Sequence, residues 1–186
     1  SGRLVTLAVD LTRGAATDAI FSTVDVAGYN YMKQHAWIAD HARVPSRLML
    51  GTESYPTRGF EVWKAVDALP YVLGDFVWAA ADYIGEASLG SSGFFPPDVR
   101  ACAAAAGIPP TFGQGWPHYS CDCGDVDLVG HTRAAGHYRS VLFGASALEV
   151  AVAAPRPPGA TGDEVLPKWG FPSEEPSWTW RRSKAK

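Results

Sequence analysis

Four short runs of continuous apolar residues, each turning polar or aromatic at its carboxyl end, constrain this chain more than any other feature. They are residues 4–9 (LVTLAV) closing on Asp10, residues 24–31 (VDVAGYNY), residues 47–51 (RLMLG) closing on Thr52, Glu53 and Ser54, and residues 74–81 (GDFVWAAA) closing on Asp82. Strands that are apolar throughout belong to parallel sheets covered on both faces. The gaps between the runs, about a dozen residues or more, suit right-handed crossovers better than hairpins. Residues 58–66 place Val62, Trp63 and Val66 near helical spacing, and Pro70 ends the segment; the pattern predicts one amphipathic crossover helix. Residues 136–144, with Tyr138, Val141 and Leu142 on one side and a terminal Gly144, predict another.

Such strand–helix units describe either half of an eight-stranded barrel or a small open doubly wound sheet. An open sheet would normally bring a glycine-rich phosphate turn, and no G-x-G-x-x-G or Walker loop follows any run. The expected fold is therefore α/β: half a (β/α)8 TIM barrel, with a long loop after the last strand and a Trp-rich C-terminal tail. Residues 88–131 are rich in Gly and Pro and contain few periodic runs, which in a compact domain suggests a functional loop or lid. Residues 155–159 (PRPPG) open a tail that still carries Trp169, Phe171, Trp178 and Trp180. Free linkers rarely hold so many aromatics, so the expected division is a barrel half over 1–154 and a tail over 155–186 that packs onto it.

The 186 residues, 47% apolar, suffice to bury a real core. A net charge of -3 and the lack of any Lys/Arg block point away from nucleic acid. No apolar run approaches the roughly 20 residues that span a bilayer, so no membrane partner is expected. The start, SGRL, has neither an initiator Met nor a signal pattern, so the true start is expected elsewhere. The three cysteines, two of them in Cys121-Asp122-Cys123, offer no paired disulfide framework. One C-x-C pair without a second Cys or His pair is weak ground for zinc, and the five His residues show no ligand spacing; neither metal nor cofactor is expected. The cellular compartment is undetermined.

In parallel α/β folds chemistry collects where strands end. A carboxylate directly after a buried strand, with a hydroxyl on either side, makes Glu53 the first catalytic candidate, although a Glu in that place can also cap the next helix.

The stretches DVAGYNYMKQH (25–35), RLMLGTESYP (47–56), PYVLGDFVWAAADYIGE (70–86) and YSCDCGDVDLVGHTRAAGHYRSVLFG (119–144) resemble the C-terminal half of the catalytic barrel of glycoside hydrolase family 2, the β-galactosidase and β-glucuronidase family. The likeness covers roughly residues 4–145 and, more weakly, the tail. It implies strands five to eight of the barrel and a retaining mechanism, in which one carboxylate attacks the anomeric carbon and a second protonates the leaving oxygen. It makes Glu53 the nucleophile. Tyr29, Asn30 and Tyr31 then end the preceding strand, where a tyrosine hydroxyl serves the nucleophile; Tyr31 is preferred and Tyr29 is the alternative. Trp78 matches a sugar platform, and Asp82 an acidic position that could equally be a loop or capping residue. The Cys121–Asp127 stretch is similar to a loop over the barrel's end and reads as structural.

One departure matters more than the matches. The family's acid/base glutamate follows an Asn, and the sequence contains no Asn-Glu pair. A half-barrel would expose strand edges, so the expected partners are a carbohydrate and either a second copy or a complementing N-terminal half. In a closed dimer the partner copy's Asp82 or Glu86 would approach Glu53. The two function classes are a retaining β-glycosidase, with β-galactosides favoured, and a non-catalytic fragment or structural module.

Overall fold

A computed structural model describes residues 2–10, 15–95, 98, 101, 105, 118–153, 155–156, 158–172 and 174–175. Trp178 and Trp180, and the prolines of 108–110 in the long loop, lie outside the described residues. By internal packing the chain divides into two compact units, Ser1–Ala80 and Ala81–Lys186.

In the first unit β1 (Thr6–Val9), β2 (Val26–Asn30), β3 (Met49–Ser54) and β4 (Val72–Val77) alternate with α1 (Ala15–Phe21), α2 (Gln34–Arg43) and α3 (Gly59–Ala68). The strands form one parallel sheet in the order β1-β2-β3-β4. Crossovers of one hand between sequential strands carry the helices to the same face. There Phe21, Trp37, Val62 and Ala65 from the helices meet Ala27, Tyr29, Met49 and Val72 from the strands in a single buried cluster. Met49 is fully buried and Val62 and Ala65, three residues apart, form the inner stripe of α3. Pro70, which cannot continue a helix, follows its end at Leu69.

The expected half-barrel, with strands five to eight of a TIM barrel, is not what this unit forms. Among the described residues it is a small α/β domain whose sheet has four strands, each paired with its neighbours in sequence. Closure into a barrel needs about eight strands with matched tilt and stagger; a local strand–helix rhythm is common to closed and open sheets and does not distinguish them. Leu7 of β1 and Leu73 and Phe76 of β4 are exposed.

An ion-pair network ties α1 and α2 to the sheet. Arg47 contacts Asp18 and Asp40, Arg43 contacts the same two carboxylates, and the Tyr29 hydroxyl donates to Asp40. Hydrogen bonds from Arg43 and Arg47 lower the Asp18 pKa to about 2. At Asp40 burial acts upward, but hydrogen bonds from Tyr29, Arg47 and Arg43 together outweigh it and the pKa falls below the usual carboxylate range. A carboxylate whose folded pKa is depressed stabilises the fold fully above its unfolded pKa of about 4, and that contribution is lost as pH falls through the folded value. Stability is therefore expected to hold flat from neutral pH to about 4 and to drop between about pH 4 and 2. Denaturant midpoints across that range check it, with Asp40→Asn expected to flatten the acid limb.

The second unit contains α4 (Ala134–Leu142) and two short antiparallel ladders. The ladders pair β5 (Gly93–Phe95) with β7 (Asp163–Val165), and β6 (Val152–Ala153) with β8 (Glu174–Glu175). Arg156 lies over the Phe94 ring, Ser92 Oγ donates to Glu164, and Tyr138 packs on Phe171. Cys121 and Cys123, which the sequence left without a pairing, are joined to each other by a disulfide. Gly124 beside it is required by space: a Cβ there would sit 2.3 Å from the Asp82 backbone nitrogen. Because the obstacle is main chain, Gly124→Ala is expected to cost about 2–3 kcal/mol, seen as faster amide exchange at Asp82, whose N–H donates to the Val126 carbonyl.

Candidate functional site

Glu53 occupies the carboxyl end of β3, opposite Asn30 of β2. The strand register slips between Tyr29 and Asn30, and Tyr31 takes a left-handed backbone with φ 55°. Two residues apart on a regular strand would face the same way; here the slip and the left-handed residue send the two tyrosines apart. The Tyr31 hydroxyl donates to Glu53 Oε1, and its backbone N–H donates to the Glu53 carbonyl at 2.6 Å. Asn30 Nδ2 donates to Glu53 Oε2 at 2.7 Å, and Thr52 Oγ1 donates to Asn30 Oδ1 at 2.8 Å. Each carboxylate oxygen thus has one donor, and the donor on Oε2 is itself held by a neighbour of Glu53 in sequence.

The Tyr55 ring stacks on Tyr31 at 4.2 Å between centroids. Burial, and after it the charge of Asp10, raises the Tyr55 pKa, with Glu53 adding to the effect. Asp10, which follows β1, therefore acts on Tyr55 through its charge. Ser54 turns away from this cluster, donating to Asp75 at 2.6 Å. Trp78 follows β4, half-buried, with its backbone N–H on the Ser54 carbonyl at 2.9 Å.

Tyr29 is placed differently. It is 1% exposed within the helix-side core, and its hydroxyl is given to Asp40. Burial first, and the Asp40 carboxylate second, push its pKa well above the usual tyrosine range. In the second unit Asp82 accepts from Gly124 N at 2.7 Å and pairs with Arg133 at 2.6 Å, its side chain 2% exposed. Glu86 accepts from the Tyr83 hydroxyl. Ligand atoms of Asp82, Cys121 and Cys123 lie within 4.8 Å of one another, but the disulfide leaves neither sulfur as the thiolate that a metal requires.

The structure thus gathers Glu53, Asn30 and Tyr31 in direct contact, and it adds Thr52, which the sequence offers only as a flanking hydroxyl, and Tyr55, which it does not single out. In GTESY Thr52 is adjacent to Glu53 and Tyr55 lies two residues beyond it; their signal was closeness to Glu53 in sequence. Chemically the cluster is an oriented carboxylate at the end of a parallel strand, held by a phenol and an amide.

No protein-family model matches the sequence, and no curated protein matches it. Among solved structures, the chain is similar to a glycosyl hydrolase family 2 member from Bacteroides cellulosilyticus, with 29% identity and a TM-score of 0.69 over 97% of this chain and 21% of that one. It is also similar to a family 2 member from Bacteroides cellulosilyticus DSM 14838, with 27% identity and a TM-score of 0.60 over 89% of this chain and 18% of that one. The chain spans about a fifth of the length of these proteins. What it resembles, in backbone and in more than a quarter of the aligned residues, is a stretch of a family 2 glycosyl hydrolase.

Proposed function

We propose that this chain is the nucleophile-bearing segment of a retaining β-glycosidase, with Glu53 as nucleophile and β-galactosides as substrate class. The observation that carries the reading is the Glu53 carboxylate at a strand's carboxyl end, one oxygen held by Asn30 and the other by Tyr31. Attack on an anomeric carbon needs an oxygen aimed along one direction, and two fixed donors restrict the carboxylate's rotation before substrate arrives. Asn30 also has the polarity to meet a sugar hydroxyl, and Trp78 offers an indole face for the sugar's C–H surface. The likeness to glycosyl hydrolases of family 2 supports the reaction class.

A retaining mechanism needs a second carboxylate roughly 5–5.5 Å from the first. The resemblance puts that residue in an Asn-Glu pair which the sequence does not contain. This observation favours the second reading, a non-catalytic segment that retains the carboxylate cluster without turnover. The two are separated by covalent labelling with a 2-deoxy-2-fluoro β-galactoside carrying a dinitrophenyl leaving group, which departs with little protonation. An adduct on Glu53 supports the glycosidase; no adduct on the folded chain supports the non-catalytic segment.

A further inference from the structure

Glu53 and its neighbour Thr52 both reach one side chain, that of Asn30. Asn30 Nδ2 donates to Glu53 Oε2 at 2.7 Å, and Thr52 Oγ1 donates to Asn30 Oδ1 at 2.8 Å. On a regular strand consecutive side chains point to opposite faces, so Thr52 and Glu53 would not share a partner. The backbone of β3 shows how they do. From Gly51 to Glu53 it advances two residues while β2 advances one, from Tyr29 to Asn30; from Gly51 to Ser54 it advances three while β4 advances two, from Asp75 to Val77. β3 thus carries one extra residue against both neighbours, a bulge in the stretch that holds Thr52 and Glu53. Such a bulge re-aims the side chains it carries.

A second feature fixes Thr52 itself. A Cβ at Gly28 would lie 2.6 Å from the Thr52 γ-methyl carbon and 2.5 Å from the Leu7 carbonyl oxygen. The methyl therefore occupies room that glycine at 28 leaves open. Threonine is stiff about χ1, so a methyl seated against Gly28 fixes where Oγ1 points. The consequence for Asn30 is chemical. The two ends of an amide are nearly alike in shape, and turned over it would set Oδ1 against Glu53, acceptor against acceptor. A hydroxyl donating to Oδ1 holds the amide with Nδ2 on the carboxylate and polarises that N–H toward it.

We propose that Thr52 is a positioning residue for Glu53: aimed by the β3 bulge and seated on Gly28, it sets the orientation of the Asn30 amide, which in turn fixes Glu53 Oε2. Thr52 acts through Asn30 and makes no contact with the sugar. That this orientation speeds bond formation rests on the glycosidase reading; that Thr52 holds the amide does not.

Asn30 is the only asparagine in the chain, so 15Nδ2-asparagine labelling of the full chain reports its side-chain amide alone. The amide resonances and their exchange with water are followed in the parent, Thr52→Val and Thr52→Ser. Each is also inactivated with the dinitrophenyl 2-deoxy-2-fluoro β-galactoside over a range of concentrations, which separates the rate of bond formation from affinity. Thr52→Val keeps the branched shape and removes the hydroxyl. Its Asn30 amide resonances are expected to shift and to exchange about tenfold faster, and bond formation to slow about tenfold at unchanged affinity; tenfold is the order of one hydrogen bond. Thr52→Ser restores the hydroxyl without the methyl and is expected to come within about threefold of the parent on both readouts. A residue that only stabilised the fold would lower the fraction of chain that reacts, not the rate at which the folded chain does. An Asn30 amide unchanged in Thr52→Val overturns the proposal, whether or not the sugar reacts. A shifted amide with an unchanged rate of bond formation overturns the step from the amide to Glu53. A parent chain that is never labelled defeats the glycosidase reading, and the amide then decides by itself whether Thr52 holds Asn30.

Discussion

Incubated with the dinitrophenyl 2-deoxy-2-fluoro β-galactoside, the chain is expected to gain the mass of one fluorosugar, and Glu53→Gln to gain none. The amide keeps the shape of the side chain but offers no carboxylate oxygen to attack the anomeric carbon. Removing a nucleophile costs on the order of 10^4-fold in rate or more, which in a labelling experiment reads as complete loss. Tyr31→Phe provides the graded control. It deletes the hydroxyl that donates to Glu53 Oε1 while keeping the ring stacked on Tyr55. The loss of one hydrogen bond to a charged group, about 1.5–3 kcal/mol, slows labelling about tenfold to a hundredfold. Tyr29→Phe is expected to leave the labelling rate within about threefold of the parent, because that hydroxyl is given to Asp40 and not to Glu53. Intact mass followed over time measures all of them, and peptide mapping assigns the modified residue. Labelling of Glu53→Gln at the parent rate would remove Glu53 from its role.

The largest expected change in stability comes from Asp40→Ala. Its carboxylate is the acceptor shared by Tyr29, Arg43 and Arg47, and the Arg47 side chain is only 9% exposed. Truncation leaves the Tyr29 hydroxyl buried without this acceptor and Arg47 with Asp18 as its remaining carboxylate. Breaking a buried pair from one side costs several kcal/mol because the surviving charge stays desolvated. With Asp18 retained, the expected loss is about 2–4 kcal/mol. Guanidinium unfolding checks it through the midpoint at unchanged slope. The double variant Asp40→Ala with Tyr29→Phe is expected to recover part of the loss, because removing the orphaned hydroxyl removes its desolvation cost. A loss in Asp40→Ala below about 1 kcal/mol, the scale of an exposed pair, would mean that water, not burial, governs this network.

Much of the first unit could be read from local pattern. Runs over 4–9, 24–31, 47–51 and 74–81 lie on the four strands, offset by a few residues, because continuous apolar stretches of that length have few other uses. The segments 58–66 and 136–144 fall on α3 and α4 because helical spacing and a terminating Pro or Gly are local signals. The short ladders of the second unit escaped notice: strands of two or three residues, as in β6 and β8, carry no period.

For the site, the sequence alone determined that a carboxylate stands at the end of a buried strand, since both the apolar run and Glu53 are consecutive in it. The resemblance preferred Tyr31 but left Tyr29 as the alternative, two residues away, because the choice depends on a register slip against β3 and on a left-handed residue at Tyr31. Only the tertiary structure decided that Tyr31 meets Glu53 while Tyr29 enters the helix-side core. It also decided against the barrel, because a strand's own residues encode which of its faces is apolar, whereas an open or closed sheet is set by which strands pair at its two edges.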